Sequence, residues 1–509
     1  MKTDDLLLAL GNPRKGEFAY PQFRAAHRGH AWAAIDRLDA LAELKCLADA
    51  SRIPAPAERR GTNTHVHTNE SFSIFRSASD AAWQGFQAGL DVLGINDHYT
   101  IAGHQEFRQA CLILGIRPTF SMEAVASDAA CQARGIRCND PANPGRTYLS
   151  AKGVIRDLPP GSPGRSDLDM MKRSLMERNK AIVAKLNTLL AAAAPKLLLS
   201  FDDVLSVTPR GNTTERHVCQ ALAELIDRSI PSVPPRLDYL RKLAGEFAEK
   251  DLETPAACQN ALRASLVKAG KPAYVDESPQ AFISWERMIS MYLEYGAIPA
   301  YPVLGNPVVE LEDDVESLFA QIEARNIHAI EVIPHRNTRE RLAAILQTAA
   351  KHRYPVFNGT EHNTKSSMPL LDKWSGSDDF IGQFTLGANV LIGHQLLSAC
   401  AGFGYVDPAG KPTVGDRDHA LSLFSFAGRM IQKPLTLKLL GKLGPDSAAR
   451  LLVGLHAIGA GGSAAWGIRT RARITPRQLG GVTAHAGKAA FASATAAEFM
   501  KNWAEENLA

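Results

Sequence analysis

The run THVHTNESFS, residues 64–73, decides how the rest of the chain reads. Its first five residues lean towards a β-strand and carry imidazoles at 65 and 67. Side chains two apart on a strand share a face, so His65 and His67 point the same way. Two imidazoles on one face at a strand's C-terminal end can hold one metal ion, although an exposed HxH pair reads equally well from these residues alone. Two further runs outward from the pair repeat the design. LDVLGIND (90–97) leads into His98, so that Asp97 and His98 stand at a strand tip, and IRPTFSMEA (116–124) closes on Glu123. Between the first two runs, SASDAAWQGFQAGL (77–90) reads as a helix with Ser79 or Asp80 as N-cap and Gly89 as its end. Strands that end in polar residues and alternate with helices predict an α/β fold with a parallel barrel, whose active site lies at the strand C-termini.

The chain has 509 residues, enough for two or three domains. Hydrophobic residues make up 45% and charged residues 22%, which predicts a large buried core. The net charge is only +4, from 57 basic and 53 acidic residues, and gives no footprint for duplex nucleic acid or a membrane surface. A small phosphorylated molecule needs only a local positive patch. Seven cysteines without a CxxC pair predict reduced thiols and a cytoplasmic location. The segment MKTDDLLLALGNPRKGEF does not read as a signal peptide. No run of about 18 uncharged apolar residues predicts a membrane span.

Residues 1–60 read as a helical extension, in which AAIDRLDALAELKCLADA (33–50) repeats apolar residues at three- and four-residue steps. Residues 61–365 read as the barrel, with 125–295 containing a mostly helical insertion. Within it, the Pro-, Gly- and Arg-rich stretch 139–167 reads as loop and SLMERNKAIVAKLNTLLAAAA (174–194) as a long helix. LSFDDVLSV (199–207) reads as a short strand or turn entering another helix. The later strands are GAIPAYPVL (296–304), NIHAIEVI (326–333) and RYPVFNGTE (353–361), with the helix TRERLAAILQTAAKH (338–352) between the last two. Residues 366–509 read as helical without a chemical motif, as a cap or a surface for homo-oligomers.

Two more sites complete the set. His217 lies in TTERHVCQAL, in the first turn of a helix capped by Thr213 or Thr214, and Glu361–His362–Asn363 follows an apolar strand. Singly these residues have plain structural readings: Asp97 caps a turn and Glu123 is a surface carboxylate. Beyond the His65–His67 pair, three more strand ends and a helix start that each present His or Glu make a constellation, and such ligands suit Zn, Mn or Fe. A divalent ion lowers the pKa of its bound water from about 15.7 to around 7.

These residues resemble the PHP (polymerase and histidinol phosphatase) family. THVHTNESFS is similar to its first motif, GLDVLGINDH to its second and SMEA to its third, which ends in a metal-bridging Glu. The resemblance spans about residues 60–365 and is closest to the branch of nucleoside 3′,5′-bisphosphate phosphatases and 5′–3′ RNA exonucleases. MERNKAIVAKLNTLL, SFDDVLSV and TERHVCQAL resemble that branch's insertion and helix start, AGKPAYV (269–275) its GK-x-x-YV segment, and AIEVIPHRNTRERL its segment after the next strand. The family fold implied is a distorted parallel (β/α)7-type barrel with a mostly helical insertion and helical N- and C-terminal extensions.

The departures are specific. Phe72 stands where the first motif has an acidic residue, Tyr301 where the branch has a metal-binding His, and Glu215 where it has Arg. Glu361 replaces an Asp, and the final His position falls on Asn363, with His362 one residue early. The resemblance therefore implies one or two divalent ions rather than three. His65, His67, Glu123 and Glu361 form the best-preserved metal site, with His362 beside it, and His98 and His217 serve a second ion or the substrate's phosphate. Asp97 or His217 assists proton transfer, and Tyr301 donates a hydrogen bond. Arg216, Lys271, His335 and Arg336 are candidates to hold phosphate. The function implied is a metal-dependent phosphoesterase acting on a small molecule or nucleotide. The alternatives are a metal-dependent hydrolase, lyase or isomerase with a sugar-like or amide substrate, and a binding or scaffold protein with a decayed site.

Overall fold

The computed structural model describes residues 2–15, 17–18, 35–56, 58–305, 307–362, 369–401, 404–413 and 416–430. Asn363 and residues 431–509, which include most of the expected C-terminal helical surface, lie outside the described residues.

The centre is a barrel-like sheet in the order β1 (Thr62–Val66), β2 (Val92–His98), β3 (Arg117–Ser127), β4 (Arg146–Lys152), β6 (Ile298–Val303), β7 (Ile330–Val332) and β8 (Val356–Asn358). A two-residue strand, β5 (Ile283–Ser284), pairs with β3 off this path. Neighbours are parallel except at β4, which runs antiparallel to both β3 and β6. A bridge from Val66 to Glu361 brings the last strand back to the first and nearly closes the barrel. The mixed α/β architecture is the distorted barrel with helical extensions that the sequence predicts.

Three expected elements differ. The stretch 139–167 is not all loop, because RTYLSAK forms β4. Its Pro- and Gly-rich flanks hide a strand that alternates inward and outward residues only over a short span. LSFDDVLSV differs too: Phe201–Ser206 is a short helix capped by Ser200, whose Oγ accepts from the Asp203 amide. The helix Ala78–Gln87 starts at Ser77 rather than Ser79 or Asp80, since the Ser77 Oγ accepts from the Asp80 amide.

The long helix Pro163–Ala192 leaves the barrel after Ser162, whose hydroxyl caps it. With the helices Glu215–Ser229, Val233–Ala244 and Pro255–Leu262 it builds a second buried apolar cluster, separate from the barrel's. The insertion thus carries its own small core, while the helix Glu215–Ser229 brings its N-terminus to the barrel mouth. Asn212, just before that helix, donates to the carbonyls of Glu70 and His98.

The opposite end of the barrel is plugged. The helix Ile381–Ala401 lies across the strand N-termini, where Gln395 accepts from the Phe120 amide and His394 pairs with the Gly296 carbonyl. A Cβ on Gly387 of this helix would overlap the Val356 carbonyl, so the backbone of the plug touches the backbone of β8. The helix Arg417–Met430 packs behind it at equally short range, with Gly428 against the Asn389 backbone. Among the described residues, no helix is long and apolar enough to cross a membrane.

Candidate metal centre

Parallel pairing carries side chains of like orientation into one layer. His98 is in register with Glu123 and Asn96 with Ser121. Antiparallel pairing puts Ser150 beside Glu123 and Ala300 beside Ser150. The barrel interior at its C-terminal end therefore holds His65, His67, Asn96, His98, Glu123, Ser150 and Glu331.

His65, His67 and Glu123 form a group whose ligand atoms all lie within 4.8 Å of one another, and all three are buried. The His65 and His67 Nε2 atoms are 3.2 Å apart. Two nitrogens at metal bond lengths of about 2.0–2.1 Å on one tetrahedral ion would stand ~3.3 Å apart. Glu123 Oε1 lies 3.3 Å from His67 Nε2, and Oε2 lies 3.7 Å from His65 Nε2. His98 Nδ1 approaches Oε1 at 3.2 Å, and its ring stacks on His67 with centroids 4.5 Å apart. One carboxylate thus faces three imidazoles, which is a donor set suited to a divalent ion and to a bridging role for Glu123.

The electrostatics agree with that chemistry. Burial, together with Glu361 and Glu331, pushes the Glu123 carboxyl up to about 8, so a cation here would relieve a strained anion. Burial and the neighbouring imidazole His65 lower His98 to about 4, and burial with His98 and His65 holds His67 well down. Neutral imidazole is the ligating form. For His65, burial is outweighed by Glu331 and Glu123, and its affinity for protons rises.

Each of the paired imidazoles is held from behind. His65 Nδ1 donates to Glu331 Oε1 at 2.8 Å. Glu331 also pairs with Lys152 and accepts from Ser150 Oγ at 3.0 Å. Burial would raise the Glu331 carboxyl, but His65 and Lys152 bring it down to about 2. His67 Nδ1 meets Ser71 Oγ at 3.4 Å, and that hydroxyl donates to Asp97 Oδ1 at 2.6 Å. Asp97 also accepts from the Thr68 amide at 2.7 Å and the Thr68 hydroxyl at 2.6 Å. Its place is on the opposite face of β2 from Asn96 and His98, where it anchors the turn after β1; this geometry suits anchoring rather than proton transfer.

The other expected site residues scatter. Glu361 is bound at both oxygens by Arg336, at 3.0 and 2.5 Å, and is outside the three-residue group. Its backbone, however, closes the barrel: Glu361 and His362 have φ of +64° and +59°, and the Glu361 carbonyl accepts from the His67 amide at 2.8 Å. Such left-handed residues in succession mark a backbone held under strain by its surroundings. His362 pairs with Thr360 Oγ1 at 2.7 Å and stacks on Phe75. His217 caps its own helix: its Nδ1 accepts from the Thr214 amide at 3.1 Å, and its ring also bonds the Asn69 backbone. Thr214 is the N-cap. Lys271 is exposed and borders neither cavity described below. His335, half-buried in the turn Pro334–Arg336, also borders neither.

Tyr301 faces away from the barrel interior. Ala300 and Pro302 take the inward positions of β6, so the residue between them must point out to the helices. Its ring packs on Trp285 and its hydroxyl donates to Glu312 at 3.4 Å. Glu312 is fully buried, and burial pushes it up to about 7. Its folded pKa is raised, so the stability tied to its proton is complete below pH 4.5 and is lost as pH rises to about 7. Glu312→Gln should remove that loss. Urea unfolding should show the variant gaining on the wild type across this window by up to about 3 kcal/mol, and a pH-independent difference would refute it.

Two cavities open at the mouth, with Phe72 as the wall between them. The larger, about 630 Å³, is bordered by His217 and Asn69; the smaller, about 270 Å³, by His98, Tyr148 and Arg216. Phe72 has φ of +96°, lies edge-on to His217 and carries Arg216 over its ring. Four basic residues, Lys172, Arg178, Arg216 and Arg263, and two acidic ones, Glu215 and Glu277, border the smaller cavity. Glu215 is clamped between Arg178 and Arg263. Arg216 instead donates to Asn260 Oδ1 at 3.1 Å. Glu331, Lys152, Asn96 and Ser71 are the site residues that sequence reading missed. Glu331 had a signal, an acid inside the apolar run NIHAIEVI. Lys152 had none, because its strand reads as loop.

Fold and site together define a barrel with a buried His–His–Glu donor set at the carboxyl ends of its strands. No family model and no curated protein matches the sequence. Several solved structures resemble it, two of them as follows. A candidate metal-dependent phosphoesterase from Bifidobacterium adolescentis is 19% identical, with a TM-score of 0.43 over 65% of this chain and 96% of its own. An amidohydrolase from Chromobacterium violaceum, solved with sulfate and no metal, is 15% identical, with a TM-score of 0.41 over 60% of this chain and 87% of its own.

Proposed function

We propose that this chain is a metal-dependent hydrolase of the PHP type that cleaves a phosphate ester of a small molecule or nucleotide. The observation that carries the reading is the convergence of His65, His67 and Glu123, three buried donors within 4.8 Å, beside a cavity whose lining has four basic residues against two acidic ones. His65, His67 and Glu123 would hold one ion of Mn, Zn or Fe, and His98 with Glu123 a second. A divalent ion, when bound, supplies hydroxide near neutral pH and stabilises charge on phosphorus. Arg216 would grip the ester's oxygens, since it borders the cavity, lies over the Phe72 ring and is hydrogen-bonded to an amide rather than a carboxylate. Phe72 and Tyr148 would flank the remainder of the substrate.

The test is reconstitution of the full chain with Mn, Zn or Fe, followed by metal analysis and phosphate release from a panel of phosphate esters. Well under one metal equivalent would end the metal-centre reading. Bound metal without turnover of any phosphate ester would move the assignment to a non-phosphate substrate, which uses the same donor set. Arg216→Ala should raise KM about 10–100-fold with a smaller change in kcat, and Arg216→Lys should not restore it, because a bidentate grip is lost.

A further inference from the structure

We infer that the buried Glu331–Lys152 pair is a positioning device that locks His65 in its Nδ1–H form, so that the Nε2 lone pair faces His67 and Glu123. The inference rests on the metal-centre reading for its purpose, but not for its geometry. Glu331 comes from β7, Lys152 from β4 and His65 from β1, and all three are fully buried. The Glu331 carboxylate is committed on every side. It takes the His65 Nδ1 proton at 2.8 Å, the Ser150 hydroxyl at 3.0 Å and the Lys152 ammonium. Lys152 also reaches the Thr64 carbonyl at 3.4 Å, one residue before His65. A carboxylate at Nδ1 accepts and cannot donate, so the proton must sit on Nδ1 and the other nitrogen must present its lone pair. That nitrogen is the one 3.2 Å from His67 Nε2.

Lys152 has a separate part. Without it, Glu331 would add a third carboxylate charge close to Glu123 and Glu361, both of which act on this site. The ammonium cancels that charge and leaves the acceptor in place. Stability alone does not account for the pair. Removing two ions from water costs several kcal/mol each, and apolar residues of similar volume are often as stable or more so. The pair makes sense as orientation: Glu331 meets His65 at Nδ1, the nitrogen turned away from His67, and Lys152 holds Glu331 there from the Thr64 side.

The test compares the full-length wild type with Glu331→Leu/Lys152→Met, which removes both charges, and with Glu331→Gln/Lys152→Met, which restores a neutral acceptor. Histidine-selective ¹⁵N spectra of metal-free protein in mildly alkaline buffer report the tautomer, with His65 assigned by its loss in His65→Gln. The wild type should show His65 as Nδ1–H, the Leu/Met variant should lose that form, and the Gln/Met variant should recover it. Zinc affinity should fall about 10–100-fold in the Leu/Met variant, with the unfolding midpoint unchanged or raised. Wild-type His65 in the Nε2–H form, or a Leu/Met variant binding zinc within about threefold of wild type, would overturn the inference. A wild type that binds no zinc would end the metal-centre reading, while the spectra would still decide the tautomer. If the Leu/Met variant fails to fold, the wild-type and Gln/Met spectra decide it.

Discussion

Glu123→Gln should lower kcat/KM for the metal-loaded protein at least about a thousandfold, close to 4 kcal/mol of transition-state stabilisation. The size follows from position. Glu123 is the one carboxylate in the donor group, and its two oxygens divide between His67 and His98 on one side and His65 on the other. Glutamine keeps the shape but removes the charge and one of the two ligating oxygens. The fold should not suffer, because burial already disfavours the ionised carboxyl and pushes it to about 8 in the absence of a cation. Loss of activity with an unchanged unfolding midpoint and reduced metal content is the expected result. A variant that keeps full metal occupancy and loses less than tenfold in rate would remove Glu123 from the centre.

Lys152→Met should destabilise the barrel by about 3–5 kcal/mol. The substitution leaves Glu331 charged, fully buried and without its cation, in a space where no water reaches either side chain. The companion change Glu331→Leu should return most of that loss, since the cost is the unpaired charge rather than the missing contact. Chemical unfolding of the two single variants and the double variant gives the coupling directly. A single-variant loss under about 1 kcal/mol would mean that the Glu331 charge is otherwise compensated.

Much of the fold was legible in the sequence, for local reasons. Strand alternation acts over two residues and capping over three. THVHT, LDVLGIND, IRPTFSMEA and the three later runs therefore announce β1, β2, β3, β6, β7 and β8. The His65–His67 pair is read correctly as one face because the strand period is local. β4 was not legible: its short alternation is flanked by turn-forming residues, and nothing in the run shows that it pairs antiparallel between β3 and β6. Tyr301 shows the same limit. The run GAIPAYPVL signals a strand, but which residues face inward depends on the register that pairs Ala300 with Ser150.

Local pattern alone places an HxH strand, a second strand ending in Asp97–His98 and a third bearing Glu123 at one barrel mouth. Which residues stand behind them depends on how the strands assemble. His65 and Glu331 are 266 positions apart and meet across the barrel. Glu361 is drawn to Arg336, and Asp97 to Thr68 and Ser71, by partners that no spacing rule names. The reason is physical. A side chain's direction is set by its own strand, whereas the group that meets it is set by how seven strands wrap around one axis.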